Sequence, residues 1–150
     1  MRFKSLLLGL VGVGFSIGMI SCLSNVQLED EVKAAENNSQ ILAYFSKASL
    51  SPVALANGAY YGLTKTNSTG ELASKGDSII VHYELANLLT GQVLDSTNRA
   101  TNSPLIYRYG FSNPIFGSIM GAMKEGEQAV MGIPGTSQSF PGLPAYTPLK

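Results

Sequence analysis

Few side chains here have chemistry to offer, and that sparseness narrows the possibilities. The 150 residues contain one histidine, His82, and one cysteine, Cys22. A single cysteine excludes an intramolecular disulfide, and one Cys with one His does not make a structural zinc site. The pair that draws notice is Tyr83 and Asp95. The phenol closes the apolar run Ile79-Ile80-Val81-His82-Tyr83, and the carboxylate closes Gln92-Val93-Leu94-Asp95, with Thr90-Gly91 as the turn before it. A phenol donates a hydrogen bond and a carboxylate accepts one, so the chemistry on offer is recognition rather than nucleophilic attack. On the residues alone Asp95 also suits a turn cap or a surface partner for Arg99. In a strand, Ile79, Val81 and Tyr83 share one face while Ile80 and His82 share the other. His82 therefore points away from Tyr83 and is not read as a catalytic base.

The elements that must position these residues follow from periodicity. Asp30 to about Lys47 reads as a helix, with Glu29-Asp30-Glu31 giving negative charge at its start. Ile41, Leu42, Phe45 and Ala48 form its apolar stripe, and it ends near Ser49, ahead of Pro52. We read it as a spacer that docks loosely on the domain. Ala59 to Thr66 is rich in strand formers, and Asn67-Ser68-Thr69-Gly70 is a turn. Strands follow at Ser78–Tyr83, Gln92–Asp95, Pro104–Tyr109 and Gln128–Ile133, with Ser96 to Ser103 a polar loop. Between the last two strands, Asn113 suits a helix N-cap and Pro114 the first helical position. Phe116, Ile119, Met120 and Met123 then fall on one face, with Met120 and Met123 as core residues. Gly126 is placed to end that helix. Pro134 to Pro148 is a Gly- and Pro-rich loop.

Bulk composition adds exclusions. The chain is 45% apolar and 13% charged, with 10 basic and 10 acidic side chains. That is a globular composition of about one domain, without the basic patch that nucleic-acid binding requires. Residues 1–21 read as a signal peptide: Arg2 and Lys4 precede the uncharged run Leu6 to Ile20, and small Ser21 stands before Cys22. The end of this segment resembles a bacterial lipobox, which makes Cys22 the lipidation site. Cleavage there removes Arg2 and Lys4, taking the 10 basic side chains to 8 against 10 acidic ones. Membrane attachment would then rest on acyl chains, at ~0.8 kcal/mol per buried methylene. Leu23 to about Glu31 reads as a polar tether. The organisation expected is therefore signal peptide 1–21, tether and N-terminal helix 22–57, and a folded domain 58–150.

The order of parts from Gly58 onward resembles the FKBP-type peptidyl-prolyl cis–trans isomerases. The pieces that carry the resemblance are Val81-His82-Tyr83, Thr90-Gly91, Leu94-Asp95-Ser96, Met123-Lys124-Glu125-Gly126-Glu127 and Ile133-Pro134. Each is weak alone, and together they are specific. The resemblance implies an α+β fold, a twisted antiparallel sheet wrapped around one short helix, here preceded by a separate N-terminal helix. It implies Tyr83 and Asp95 as the catalytic pair facing a shared apolar pocket, with Leu94, Leu105, Ile115 and Phe116 as substrate-binding walls. Asn113 to Ile115 would supply a backbone N–H for a substrate carbonyl. No metal or cofactor is implied.

The departures are also informative. Leu94 and Leu105 stand where the family usually has Phe, and Arg99 lies one residue from the family's basic loop position. The loop after Ile133-Pro134 lacks the family's Ala-Tyr-Gly segment, leaving Phe140 or Tyr146 as aromatic substitutes. The family's last strand would begin near Leu149 and lie mid-sheet, whereas the sequence stops at Lys150; we read it as truncated and poorly stable alone. The implied function is rotation about X–Pro bonds in exported or envelope proteins. The alternative is a catalytically weak FKBP-like binding module or chaperone. The implied partners are proline-containing polypeptides and a membrane reached through the lipid, with no nucleic acid. The chain is read as a monomer, and Leu23-Ser24, without an acid, favours the outer membrane.

Overall fold

The computed structural model describes residues 20–111, 114–136 and 141–150, with the backbone alone for 20–27 and 114–116. It opens on helix α1 (Ile20–Lys47), 28 residues long, or ~42 Å at 1.5 Å per residue. The segment read as a polar tether is thus helical, and the helix begins ten residues before Asp30. Residues 28–36 are almost all exposed, so no apolar periodicity marks that half. The C-terminal end lies where the sequence predicts. Ser49 turns left-handed at φ 55°. Its N–H donates to Ser46 O, and that of Leu50 donates to Phe45 O. Leu50 then packs beside Phe45, the apolar contact that accompanies this type of helix end.

The second half of α1 is not loosely docked. Ile41 and Phe45 are fully buried and pack with Leu88, Leu50, Tyr60 and Val130. They lie on a three-stranded antiparallel sheet, order β1-β2-β7, made of β1 (Val53–Ala54), β2 (Tyr60–Lys65) and β7 (Gln128–Gly132). Tyr60 pairs with Gly132 and Gly62 with Val130. These four face α1, because residues opposite one another in an antiparallel pair share a face. Two of them are glycines for a steric reason. A Cβ on Gly132 would lie 2.4 Å from Ile41 Cγ2, and one on Gly62 would lie 2.9 Å from Phe45 Cε1.

The opposite face of β7 carries Met131, which packs against helix α2 (Pro114–Ala122). Ile119 and Met120 are buried there with Tyr107, and Ile79, Val81 and Met123 close round them. The alternation predicted for residues 79–83 holds in part: Ile79 and Val81 face this core while Ile80 is 68% exposed. The helix ends at Ala122, four residues before Gly126. Gly126, at φ 78°, belongs instead to the turn into β7, where Glu127 N–H donates to Lys124 O.

The remaining strands form two short ribbons. β3 (Ser78–Val81) pairs with β6 (Leu105–Arg108), and β4 (Glu84–Ala86) pairs with β5 (Val93–Ser96). The single strand expected over 78–83 is therefore interrupted at His82 and Tyr83. Leu149 sits between the β4–β5 ribbon and the three-stranded sheet, bridging Asn87 on one side and Ile133 on the other. That is the mid-sheet place the family resemblance implies for it.

Asn37 of α1 fastens the helix to the loop after β7. It is 2% exposed, its Nδ2 donates to Lys33 O and Tyr146 O, and its Oδ1 accepts from Gly135 N–H. Tyr146, held at φ 58°, donates its hydroxyl to Asp30 Oδ1 at 2.5 Å. The direct contact of α1 with Gly132 is testable. Gly132→Ala should lower unfolding free energy by about 1–3 kcal/mol through overpacking, and Ile41→Ala by about 2–5 kcal/mol. Because the two changes act on one contact, the double variant should lose less than the sum in urea denaturation.

Candidate functional site

The site is built where β3 gives way to β4. Tyr83 lies at that break and Asp95 lies in β5 opposite Leu85. The ladder slips there: Leu85 faces Asp95 but Ala86 faces Val93. Leu94 is left as the extra residue of a β-bulge, a device that bends a strand and re-aims its side chains. The turn between the strands is held by Asn87, whose Oδ1 accepts from Leu89 N–H and Thr90 N–H. Gly91, at φ 74°, completes it. This turn fixes where β5 returns, and so where Asp95 meets Tyr83.

The two predicted catalytic residues are in direct contact. The Tyr83 hydroxyl donates a short hydrogen bond to Asp95 Oδ2, and Asp95 Oδ1 accepts from Ser96 N–H at 2.9 Å. The carboxylate pushes the Tyr83 phenol above its ordinary value of 10.0. The hydrogen bond is the main cause, desolvation follows, and the negative charge of Asp95 adds to both. The phenol therefore stays protonated at neutral pH. The alternative partner for Asp95, Arg99, takes no part, since the ion pair found among the described residues is Lys33–Glu36.

The other predicted residues are distributed unevenly. Leu105 opens β6 opposite Val81, and Leu94 is the bulge residue; both are half-buried. Ile115 and Phe116 lie in the first turn of α2, with side chains outside the described set, as is that of Cys22. Asn113 and Phe140 lie outside the described residues. Tyr146 is committed to α1 through Asp30 and Asn37, so its hydroxyl is drawn toward the helix. His82 is engaged too: its Nδ1 is 3.0 Å from Thr97 Oγ1. Thr97 itself was not legible as a site residue, because it sits in a polar stretch whose composition reads only as loop.

Comparison with solved structures agrees on the fold. FkpA from Escherichia coli superposes with a TM-score of 0.58 at 22% identity, over 87% of this chain and 62% of that one. The chain thus spans less than two thirds of FkpA. A peptidyl-prolyl cis-trans isomerase from Pseudomonas syringae pv. tomato gives 0.61 at 18% identity, over 79% of this chain and 87% of that one. AtFKBP13 gives 0.51 at 22% identity, over 66% and 91%. No family model matches the sequence, and no curated protein matches it. The chain has an FKBP-like α+β fold, shared with these structures, one of which is a peptidyl-prolyl cis-trans isomerase.

The phenol–carboxylate contact makes a spectroscopic prediction. In protein carrying 13C-labelled tyrosine, the Tyr83 ring should titrate above 10.0, and Asp95→Ala should return it to the ordinary range. The sign for stability follows from linkage: a proton held more tightly in the folded state stabilises it below pH 10 and ceases to as pH rises through the folded value. Asp95→Ala should therefore narrow the stability difference between pH 9 and pH 11 in denaturant titrations.

Proposed function

We propose that this chain is a peptidyl-prolyl cis–trans isomerase acting on proline-containing polypeptides. The observation that carries the reading is the Tyr83–Asp95 hydrogen bond at the strand break of an FKBP-like fold. Isomerisation breaks no covalent bond. Its barrier is amide resonance, ~18–20 kcal/mol, and X–Pro exchange takes tens to hundreds of seconds unaided. A catalyst has only to bind the twisted amide better than the planar one. The planar form is the more charge-separated and the better hydrated, so an apolar surround disfavours it. Leu94, next to Asp95 in the chain, and Leu105, paired with Val81, are half-buried and aliphatic. A phenol held protonated and turned to Asp95 is neither a nucleophile nor a base, which suits a reaction that needs neither.

A second reading has its own support. Leu94 and Leu105 are aliphatic, and Tyr146, a candidate lid aromatic, is turned to α1. A site so constituted also suits a module that holds proline-containing segments with little turnover.

We further propose attachment to the cell envelope by acylation of Cys22. Among the described residues no helix is long and apolar enough to cross a membrane. Because α1 runs through Cys22 without a break, the link to the domain would be a rod. From Cys22 to buried Asn37 it spans ~22 Å at 1.5 Å per residue.

The test is the cis-to-trans rate of a short X–Pro peptide with substoichiometric protein. Acceleration is expected, and Asp95→Ala should reduce kcat/KM about tenfold, or ~1.4 kcal/mol of transition-state stabilisation, with a smaller proportional loss of stability. A folded protein that binds the peptide without accelerating it would favour the holding module.

A further inference from the structure

We propose that Thr97 is a positioning residue that sets the aim of Tyr83, an inference that rests on the isomerase reading of Tyr83 and Asp95. The reason lies in the backbone. Residues 78–81 take hydrogen bonds from β6, and residues 84–86 take them from β5. His82 and Tyr83 belong to neither ladder. A peptide at such a changeover needs partners from elsewhere, because an unpaired backbone group away from water is costly.

Thr97, one residue beyond β5, supplies them. Its N–H donates to Tyr83 O at 3.0 Å. Its Oγ1 accepts from Tyr83 N–H at 3.0 Å and lies 3.3 Å from Tyr83 O. The same oxygen meets His82 Nδ1 at 3.0 Å. One half-buried hydroxyl thus joins both residues of the strand break. It does so two positions after Asp95, whose carboxylate takes the Tyr83 hydroxyl.

The three residues Asp95-Ser96-Thr97 therefore grip Tyr83 at both ends, the phenol by a carboxylate and the peptide by a hydroxyl and an amide. A hydrogen bond at the phenol alone leaves the ring free to follow movements of its own backbone. The second grip removes that freedom, so the ring is held in one place before substrate arrives. Such preorganisation is effective only where the supporting groups are themselves fixed. His82 helps here as a neighbour of the Thr97 hydroxyl, its Nδ1 3.0 Å away.

The test uses the full chain with 13C-labelled tyrosine, the Tyr83 ring resonance being assigned by its loss in Tyr83→Phe. Thr97→Val removes the hydroxyl and keeps the shape, whereas Thr97→Ser keeps the hydroxyl. Thr97→Val should move the Tyr83 titration back toward 10.0 and lower kcat/KM about tenfold, and Thr97→Ser should leave both near wild type. An unchanged Tyr83 titration in folded Thr97→Val would overturn the proposal. A measurement on the unaltered chain decides the matter if Thr97→Val does not fold. The Tyr83 amide, outside both ladders, should exchange its hydrogen as slowly as the paired amides of β4; exchange at an unprotected rate would overturn the clamp. Neither readout requires turnover. A responsive phenol in an inactive protein would sink the isomerase reading and leave the clamp, and an indifferent phenol in an active one would do the reverse.

Discussion

The rest of the structure depends on the pairing of β2 with β7, because this ladder is covered on both faces. Val130 and Gly132 turn to α1, and Met131 turns to α2. A sheet buried on both sides excludes polar residues from its centre and leaves little tolerance in side-chain size. The glycines at 62 and 132 are the clearest mark of that limit. They let Ile41 and Phe45 lie directly on the backbone of the strands, where their burial removes apolar surface from water. The second half of the N-terminal helix is therefore one of the layers of the domain rather than a loosely docked spacer.

The site depends on a second constraint, the change of partner along residues 78–86. A straight strand alternates its side chains on a fixed period and offers them identical backgrounds. Here the strand leaves one ribbon and joins another, and the bulge at Leu94 shifts the facing strand at nearly the same level. Both irregularities fall next to Tyr83 and Asp95. Their hydrogen bond needs a phenol and a carboxylate from different strands to meet end-on, which regular pairing of residues twelve apart does not arrange by itself. The irregular backbone is what brings them together.

Much of this is legible in the sequence, and the boundary of legibility has physical causes. Strands β2, β3, β5, β6 and β7 and helix α2 follow from alternation, turn residues and the Asn-Pro start of a helix, all of them local signals. The Tyr83–Asp95 pairing follows from the family resemblance. The first ten residues of α1 escape notice because in sequence they read as the end of a signal segment followed by a polar tether. The tight docking of α1 escapes too, since its cause is the absence of side chains at Gly62 and Gly132, which come to one face only when β2 pairs with β7. Gly126 was placed by its neighbours at a helix end when its left-handed backbone serves a turn. Thr97 is the hardest case, since a hydroxyl that completes a broken ladder looks, in sequence, like any other polar loop residue.

The fastening of α1 by Asn37 and Asp30 bears on the order in which the chain matures. Asn37 meets Gly135 and Tyr146 across 98 and 109 residues, and Asp30 meets Tyr146 across 116. Such closures are intrinsically late events, because the entropy of a long loop is lost before its contacts form. At ~5–20 residues per second, a ribosome takes about 5–20 s to extend the chain from Asn37 to Gly135. Through that interval Ile41 and Phe45 have no sheet to cover them. The newly made protein thus presents a sticky helical stripe for seconds, a natural handle for a holding chaperone and an opening for misassociation.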